Sequence, residues 1–205
     1  MKALQVLNLG VCDYLTAYQI QLDLVAKRQK GEIEDTLILV EHPPVYAAGT
    51  SANAAELLAP ARFPVFSTGR GGRYTYHGPG QRVGYLMLDL EQRGRDLRGF
   101  ICSVERWLIA ALADFGVSAR AVRGRVGVWT DTPAGEAKIG AIGVRVRRWV
   151  SFHGFSLNVA PDLEHFSGIV PCGLAEYPVT SLAALGIEAT MANVDAALRR
   201  HCPFL

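Results

Sequence analysis

Arg70-Gly71-Gly72-Arg73-Tyr74-Thr75-Tyr76-His77-Gly78-Pro79-Gly80-Gln81 is the stretch on which the reading of this chain depends. Gly69, Gly71, Gly72, Gly78 and Gly80 lose more backbone freedom on folding than other residues would, so the fold must use them for left-handed turns or close approach. Two arginines, two tyrosines and His77 stand among them, a poor recipe for a core. A backbone that a ligand can approach, flanked by groups that bind and polarise it, reads as a substrate loop. A glycine-rich hairpin carrying surface charge is the plainer reading of the same residues. Nucleotide loops fit badly: no Gly-Lys-Ser/Thr triplet follows, and Tyr74 and Val83 stand where a dinucleotide fingerprint needs its third glycine.

Outward from this stretch, Val83 to Leu90 is nearly all apolar and predicts a strand buried on both faces. Upstream, Met1 to Gly10 alternates as an edge strand does and has no apolar signal region. Asp13 caps a helix running to Lys30, with Leu15, Tyr18, Leu22 and Val25 on its apolar face. Thr36–Val40, Val45–Ala48 and Pro64–Ser67 read as short strands, and Asn53 starts a short helix through Leu58. His42, ahead of Pro43-Pro44, reads as structural. Downstream, Gly99–Phe115 carries apolar residues at helical spacing, with Cys102 and Trp107 in its core pattern. Four strand-like runs follow (118–122, 126–130, 137–148 and 150–159), and Leu182–Leu185 and Met191–His201 close the chain as helices. Consecutive strands with short links predict an α+β fold: one domain over residues 1–205, with mixed or antiparallel sheets flanked by helices, on one side of the sheet.

Composition limits the function. The chain has 205 residues, half of them hydrophobic, and its net charge of +2 is spread rather than massed, which gives no case for nucleic acid. No apolar run approaches the ~18 residues of a membrane span. Four cysteines without a Cys-x-x-Cys pair read as free thiols in a reducing cytoplasm.

Two further stretches carry chemistry-bearing residues. Lys138-Ile139-Gly140-Ala141-Ile142-Gly143-Val144 has two glycines inside a strand, which suggests something lying flat against the backbone. Strict alternation would put Lys138, Gly140 and Ile142 on one face and Ile139, Ala141 and Gly143 on the other. Lys138 could equally be a solvated strand-end charge. Cys172, between Pro171 and Gly173, lies in a loop rather than an apolar period. It reads either as a small buried hydrophobe or as a nucleophile displayed by a turn.

Three motifs in this order resemble the octanoyltransferases of lipoate biosynthesis, a family similar in fold to the biotin and lipoate protein ligase catalytic domain. They are Arg70 to Leu90, the Lys138–Gly143 strand, and the Pro171-Cys172-Gly173 loop followed by Val179-Thr180-Ser181-Leu182. His153–Val159 between them resembles the family as well. The resemblance implies transfer of an octanoyl group from acyl carrier protein to a lysine of lipoyl domains, through a thioester on Cys172. Those domains would belong to 2-oxoacid dehydrogenase E2 subunits and the glycine cleavage H protein. It implies Cys172 and Lys138 as a catalytic dyad, with no cofactor and no metal. It also implies an acyl pocket lined by Arg70, Gly71, Gly72, Arg73, Tyr74, Thr75, Tyr76, His77, Ala141, Ile142, Gly143, Gly154, Phe155 and Ser156. His77 would position the thioester carbonyl, and amides near Gly78 would hold the oxyanion. Arg73, Arg145, Arg147 and Arg148 are docking candidates for the acidic partner domains. Tyr74 stands where the family usually has a smaller aliphatic, and Phe155-Ser156 also varies the pattern; chain length is the property these positions bear on.

The alternatives are an ATP-dependent lipoate or biotin ligase on the same fold, and a non-catalytic acyl-binding module. A ligase needs no cysteine nucleophile and a binding module needs neither Lys138 nor Cys172. A cysteine protease or a zinc protein lacks its local signature here.

Overall fold

The computed structural model of the chain describes residues 4–173 and 176–205, with the backbone alone at Cys172. In chain order the strands are β1 (Leu4–Val11), β2 (Asp35–Glu41), β3 (Val45–Ala48), β4 (Val65–Ser67), β5 (Tyr74–His77), β6 (Gln81–Met87), β7 (Ala119–Val122), β8 (Arg125–Thr132), β9 (Gly135–Arg147) and β10 (Val150–Asn158). The helices are α1 (Tyr14–Gln29), α2 (Leu97–Ala113) and α3 (Met191–His201), with short 3₁₀ turns that include Pro171–Gly173. Seven strands form one sheet in the order β1-β2-β6-β10-β9-β8-β7; a small second sheet runs β4-β3-β5.

Within the large sheet β1 and β2 are parallel and the other neighbours antiparallel. A parallel pair cannot be closed by a hairpin, so the chain must cross over, and α1 makes that crossing. It covers the sheet face that carries Ile38, Val40, Val83 and Met87. Leu37, Leu39, Leu86 and Leu88 point the other way, into a core with Val104, Trp107 and Leu108 of α2 and Val194 and Leu198 of α3. The helices therefore lie on both faces of the sheet, not on one as the run of strands suggested.

Asp13 caps α1 as expected, accepting from the amides of Leu15 and Thr16. The buried face differs: Tyr14, Ala17, Gln21, Val25 and Arg28 are inward, and Leu15 is exposed. Two polar residues hold inward positions because each finds a buried partner. Gln21 Oε1 accepts from the amide of His153, and Arg28 Nε bonds Asp35 Oδ1 at 2.8 Å. In α2, Trp107 is buried and donates Nε1–H to the carbonyl of Leu198 at 2.7 Å. Cys102 is exposed on the outer side of α2, not in its core.

Two local departures shape the site. The glycine-rich stretch is half strand: β5 is buried throughout, with Tyr74 and Tyr76 packed in an aromatic cluster with Tyr46 and Phe166. In β9 the register against β8 jumps from Val128↔Gly140 to Trp129↔Lys138, leaving Ile139 as an extra residue. The bulge breaks strict alternation. Ile139 and Ile142 both join the α2 core, and Lys138 shares the opposite face with Ala141 and Gly143.

Candidate active site

Between the large sheet, α1 and the small sheet lies a cavity of about 400 Å³, within the range of small-molecule sites. Its floor crosses four neighbouring strands. β8 gives Arg125 and Val126, β9 gives Lys138, Ala141 and Gly143, β10 gives Gly154 and Ser156, and β6 gives Val83 and Tyr85. The register places Ala141, Ser156 and Val83 in one row and Gly143, Gly154 and Tyr85 in the next. The roof is the stretch from Arg70 to Arg73, which bridges the two sheets. Gly71 donates its amide to Val144 of β9 at 3.0 Å, and the carbonyl of Gly72 accepts from Ser51.

The glycines here answer to contact distances. A Cβ on Gly143 would stand 3.1 Å from Arg70 Cδ and 3.2 Å from the carbonyl oxygen of Gly71; one on Gly154 would fall 2.2 Å from the carbonyl oxygen of Gly84. Gly72 has φ +90, which glycine adopts without strain. Arg70 is buried and donates to the carbonyls of Ala47 (2.7 Å) and Gly71 (3.0 Å), so it holds the roof in place.

Of the residues expected in the acyl pocket, Arg70, Gly71, Gly72, Arg73, Thr75, His77, Ala141, Ile142, Gly143, Gly154, Phe155 and Ser156 line this cavity. Ile142 and Phe155 also pack on the α2 core. Tyr74 and Tyr76 do not line it, because alternation in β5 sends Thr75 and His77 inward and the tyrosines to the far side. The departure from the family pattern at Tyr74 therefore falls outside the cavity, and Gly78 does not line it either.

Lys138 lines the cavity and is buried, with Nζ 3.1 Å from the carbonyl oxygen of Val126 and 4.7 Å from the centre of the Trp129 ring. Its backbone is tied to the segment that follows the Cys172 turn: Lys138 N–H donates to Pro178 at 2.9 Å, and Thr180 N–H donates to Lys138 at 2.9 Å. The side chain of Cys172 lies outside the described residues. The turn that carries it is placed by its neighbours. Val170 N–H donates to Glu56, and a Cβ on Gly173 would meet Arg73 Cδ at 2.4 Å. Arg73 itself is ion-paired with Glu56. The turn thus abuts one cavity residue, and the chain leaving it binds another.

A cluster of neutral histidines and tyrosines borders the cavity: His77, His153, Tyr14 and Tyr85 line it, and His42 packs behind them. His77 donates Nδ1–H to Gln81 Oε1 at 2.6 Å, since the Gln81 amide nitrogen is committed to Tyr76 and Asn158. Burial, with His42 and Arg70 near, pushes the His77 imidazole down to about 3. His153 donates Nε2–H to the carbonyl of Thr68 at 3.1 Å, and burial, with Arg70 near, pushes it down to about 4. His42 is buried and structural, as its setting before two prolines suggested: Nδ1–H goes to Cys12 at 2.8 Å, and Nε2 accepts from the Tyr85 hydroxyl at 2.7 Å. Burial raises Tyr85 well above the usual phenol value and Tyr14 to about 12. All five groups are uncharged near neutrality.

Tyr14, Tyr85, His153, Val83 and Arg125 line the cavity but escaped sequence reasoning. Tyr85 had a signal, a hydroxyl in an otherwise apolar strand. Arg145, a docking candidate, lies with its guanidinium 5.7 Å over the Phe152 ring. Asp162, Glu164 and His165 form the one cluster of metal-ligating type among the described residues, away from this cavity, and Glu164 is already ion-paired with Arg62. No helix among the described residues is long and apolar enough to cross a membrane.

Residues 13–202 match the family model described as the lipoyl protein ligase A/B catalytic domain. An octanoyltransferase of Rhizorhabdus wittichii is 70% identical over 173 residues, 84% of this chain and 78% of that protein. One of Zymomonas mobilis is 56% identical over 195 residues, 95% of this chain and 90% of its own. Among solved structures, a bipartite lipoate protein ligase of Thermoplasma acidophilum superposes with a TM-score of 0.71 at 16% identity, covering 97% of this chain and 82% of that one. A biotin protein ligase of Aquifex aeolicus reaches 0.58 at 12%, covering 98% and 68%. These structural likenesses establish the fold.

Proposed function

Since the chain belongs to the lipoyl protein ligase A/B catalytic family, and within it to the octanoyltransferases, we propose that residues 1–205 act as one catalytic domain that moves an octanoyl group between two protein partners by way of Cys172. The donor is octanoyl-acyl carrier protein. The acceptors are lysines of lipoyl domains, in 2-oxoacid dehydrogenase E2 subunits and the glycine cleavage H protein.

In the first half-reaction the Cys172 thiolate attacks the thioester carbonyl, the carrier sulfur leaves, and it takes a proton from the Lys138 ammonium. In the second, the neutral acceptor amine attacks the new thioester. Cys172 leaves as thiolate, and Lys138 takes the proton the nitrogen sheds. Thioester exchange between thiols is nearly balanced, which suits a cysteine. An ammonium beside a thiol favours the thiolate. The dyad balances every proton, so the reaction draws on no metal or cofactor.

The observation that best supports this reading is the placement of Lys138. It is buried in a cavity floored by small residues, and its backbone binds the segment that leaves the Cys172 turn. An ATP-dependent ligase is the second reading, but only the fold likeness favours it.

The test is intact mass after mixing the protein with octanoyl-acyl carrier protein, without ATP or acceptor. The expected result is a single octanoyl adduct, removed by hydroxylamine and absent from Cys172→Ser. No adduct on folded, reduced protein would overturn the assignment.

A further inference from the structure

The cavity floor changes height where β10 meets β6. Over β9 and β10 it is built of Ala141, Gly143, Gly154 and Ser156; at β6 the same two rows end in Val83 and Tyr85. A chain laid across the strands from β9 meets no large side chain until it reaches β6. Two interstrand spacings are about 9.6 Å. An extended eight-carbon chain, at ~1.25 Å per carbon–carbon bond, measures about 9 Å from first to last carbon.

The wall at β6 is held rigid. Tyr85 is buried and its hydroxyl is committed to His42 Nε2, whose other nitrogen is committed to the Cys12 carbonyl. Tyr14 closes the gap behind it, with its ring 5.1 Å from that of His42 and stacked on Phe66 at 5.4 Å. A tyrosine with a free hydroxyl could swing aside to admit a longer chain; this one would first have to break a buried hydrogen bond.

We propose that Tyr85, pinned by His42, is the stop that sets the length of the transferred acyl chain, with Val83 as its neighbour in the wall. Tyr85 is a specificity-determining residue and His42 a positioning residue. This inference rests on the acyl-transfer reading and deepens it. It assigns the reactive end of the chain to the β8–β9 side, near Lys138, and the methyl end to β6.

The experiment is a competition. Hexanoyl-, octanoyl-, decanoyl- and dodecanoyl-acyl carrier protein are mixed in equal amounts with the full chain, and the acyl-enzyme formed is read by intact mass. Wild-type protein is expected to favour octanoyl. Tyr85→Leu is expected to raise the decanoyl-to-octanoyl ratio roughly 15-fold, since each newly accommodated methylene is worth about fourfold. Tyr85→Phe and His42→Phe, which keep the rings but lose the hydrogen bond, are expected to raise it several-fold. Val83→Ala is expected to shift the ratio the same way, and it decides the matter if Tyr85→Leu does not fold. A ratio unchanged in the folded variants, or an equal loss at every chain length, overturns the proposal. Wild-type protein that takes no acyl group of any length would be a failure of the acyl-transfer reading instead.

Discussion

Thr180 donates its backbone N–H to the carbonyl of Lys138 at 2.9 Å, and its own carbonyl accepts from Asn158 Nδ2 at 2.9 Å. Asn158 in turn accepts from Gln81, which holds His77. Four buried polar residues thus join the cavity wall to the segment leaving the Cys172 turn.

Breaking this chain in the middle should move the turn without touching it. Asn158→Leu leaves the Thr180 carbonyl on one side and one Gln81 N–H on the other unpaired, each at a cost of about 1–3 kcal/mol. Lower thermal stability is expected, together with a fall in acyl-enzyme formation larger than the unfolded fraction explains. A variant that loses stability but keeps its specific rate of acylation would show that the turn is held by other contacts.

Lys138 can be tested at nearly constant volume. Lys138→Met keeps an unbranched side chain over Trp129 and removes the ammonium. Loss of a group that both donates and accepts the transferred proton is expected to cost on the order of 10²–10⁴ in transfer to a lipoyl domain, with the melting temperature within a few degrees of wild type. Transfer within tenfold of wild type would remove Lys138 from the mechanism.

Gly143 carries the floor close to the roof. An alanine there must push Arg70 or the Gly71 carbonyl away by a few tenths of an ångström. We expect Gly143→Ala to fold, to raise KM for the octanoyl donor severalfold, and to harm hexanoyl transfer less than octanoyl. Octanoyl kinetics equal to wild type would mean that the chain takes another path.

The neutral histidines predict an acid limit to stability. His77 and His153 are depressed in the folded protein to about 3 and about 4, by burial, from an unfolded value near 6.5. Below that value the unfolded chain binds two protons that the folded chain refuses. Their contribution is complete above about pH 6.5 and is lost on acidification, at about 1.4 kcal/mol per pH unit for each group. Loss slows near pH 4, where folded His153 begins to protonate. Urea unfolding at pH 7.5 and 5.0 should therefore differ by roughly 3–4 kcal/mol, and His77→Gln with His153→Gln should shrink the difference. Equal stability at both pH values would mean that neither histidine is held neutral.

Much of this was legible in the sequence because it rests on local pattern. Asp13 caps α1, the α2 apolar stripe from Val104 to Leu112 is its buried face, and the glycines at 72 and 143 mark a left-handed turn and a close backbone approach. What escaped depended on partners distant in the chain. Gln21 and Arg28 are inward because His153 and Asp35 satisfy them, which no period within α1 reveals. Tyr74 and Tyr76 read as ligand contacts until β5 is known to be a strand, when alternation sends them to Tyr46 and Phe166. Helices on both faces followed from the parallel pairing of β1 with β2, a fact of topology alone.

The extra residue at Ile139 also bears on which errors in the chain the protein can survive. Most single substitutions in β9 would change one contact. Deleting one residue between Lys138 and Ala141 would remove the bulge and restore simple alternation. Lys138 and Ala141 would then stand two residues apart, so Ala141 and Gly143 would keep the cavity face and Ile142 the core. This strand should therefore survive the loss of one residue at the bulge, whereas an insertion there would turn Ile142 and Val144 into the cavity and take Ala141 and Gly143 out of it.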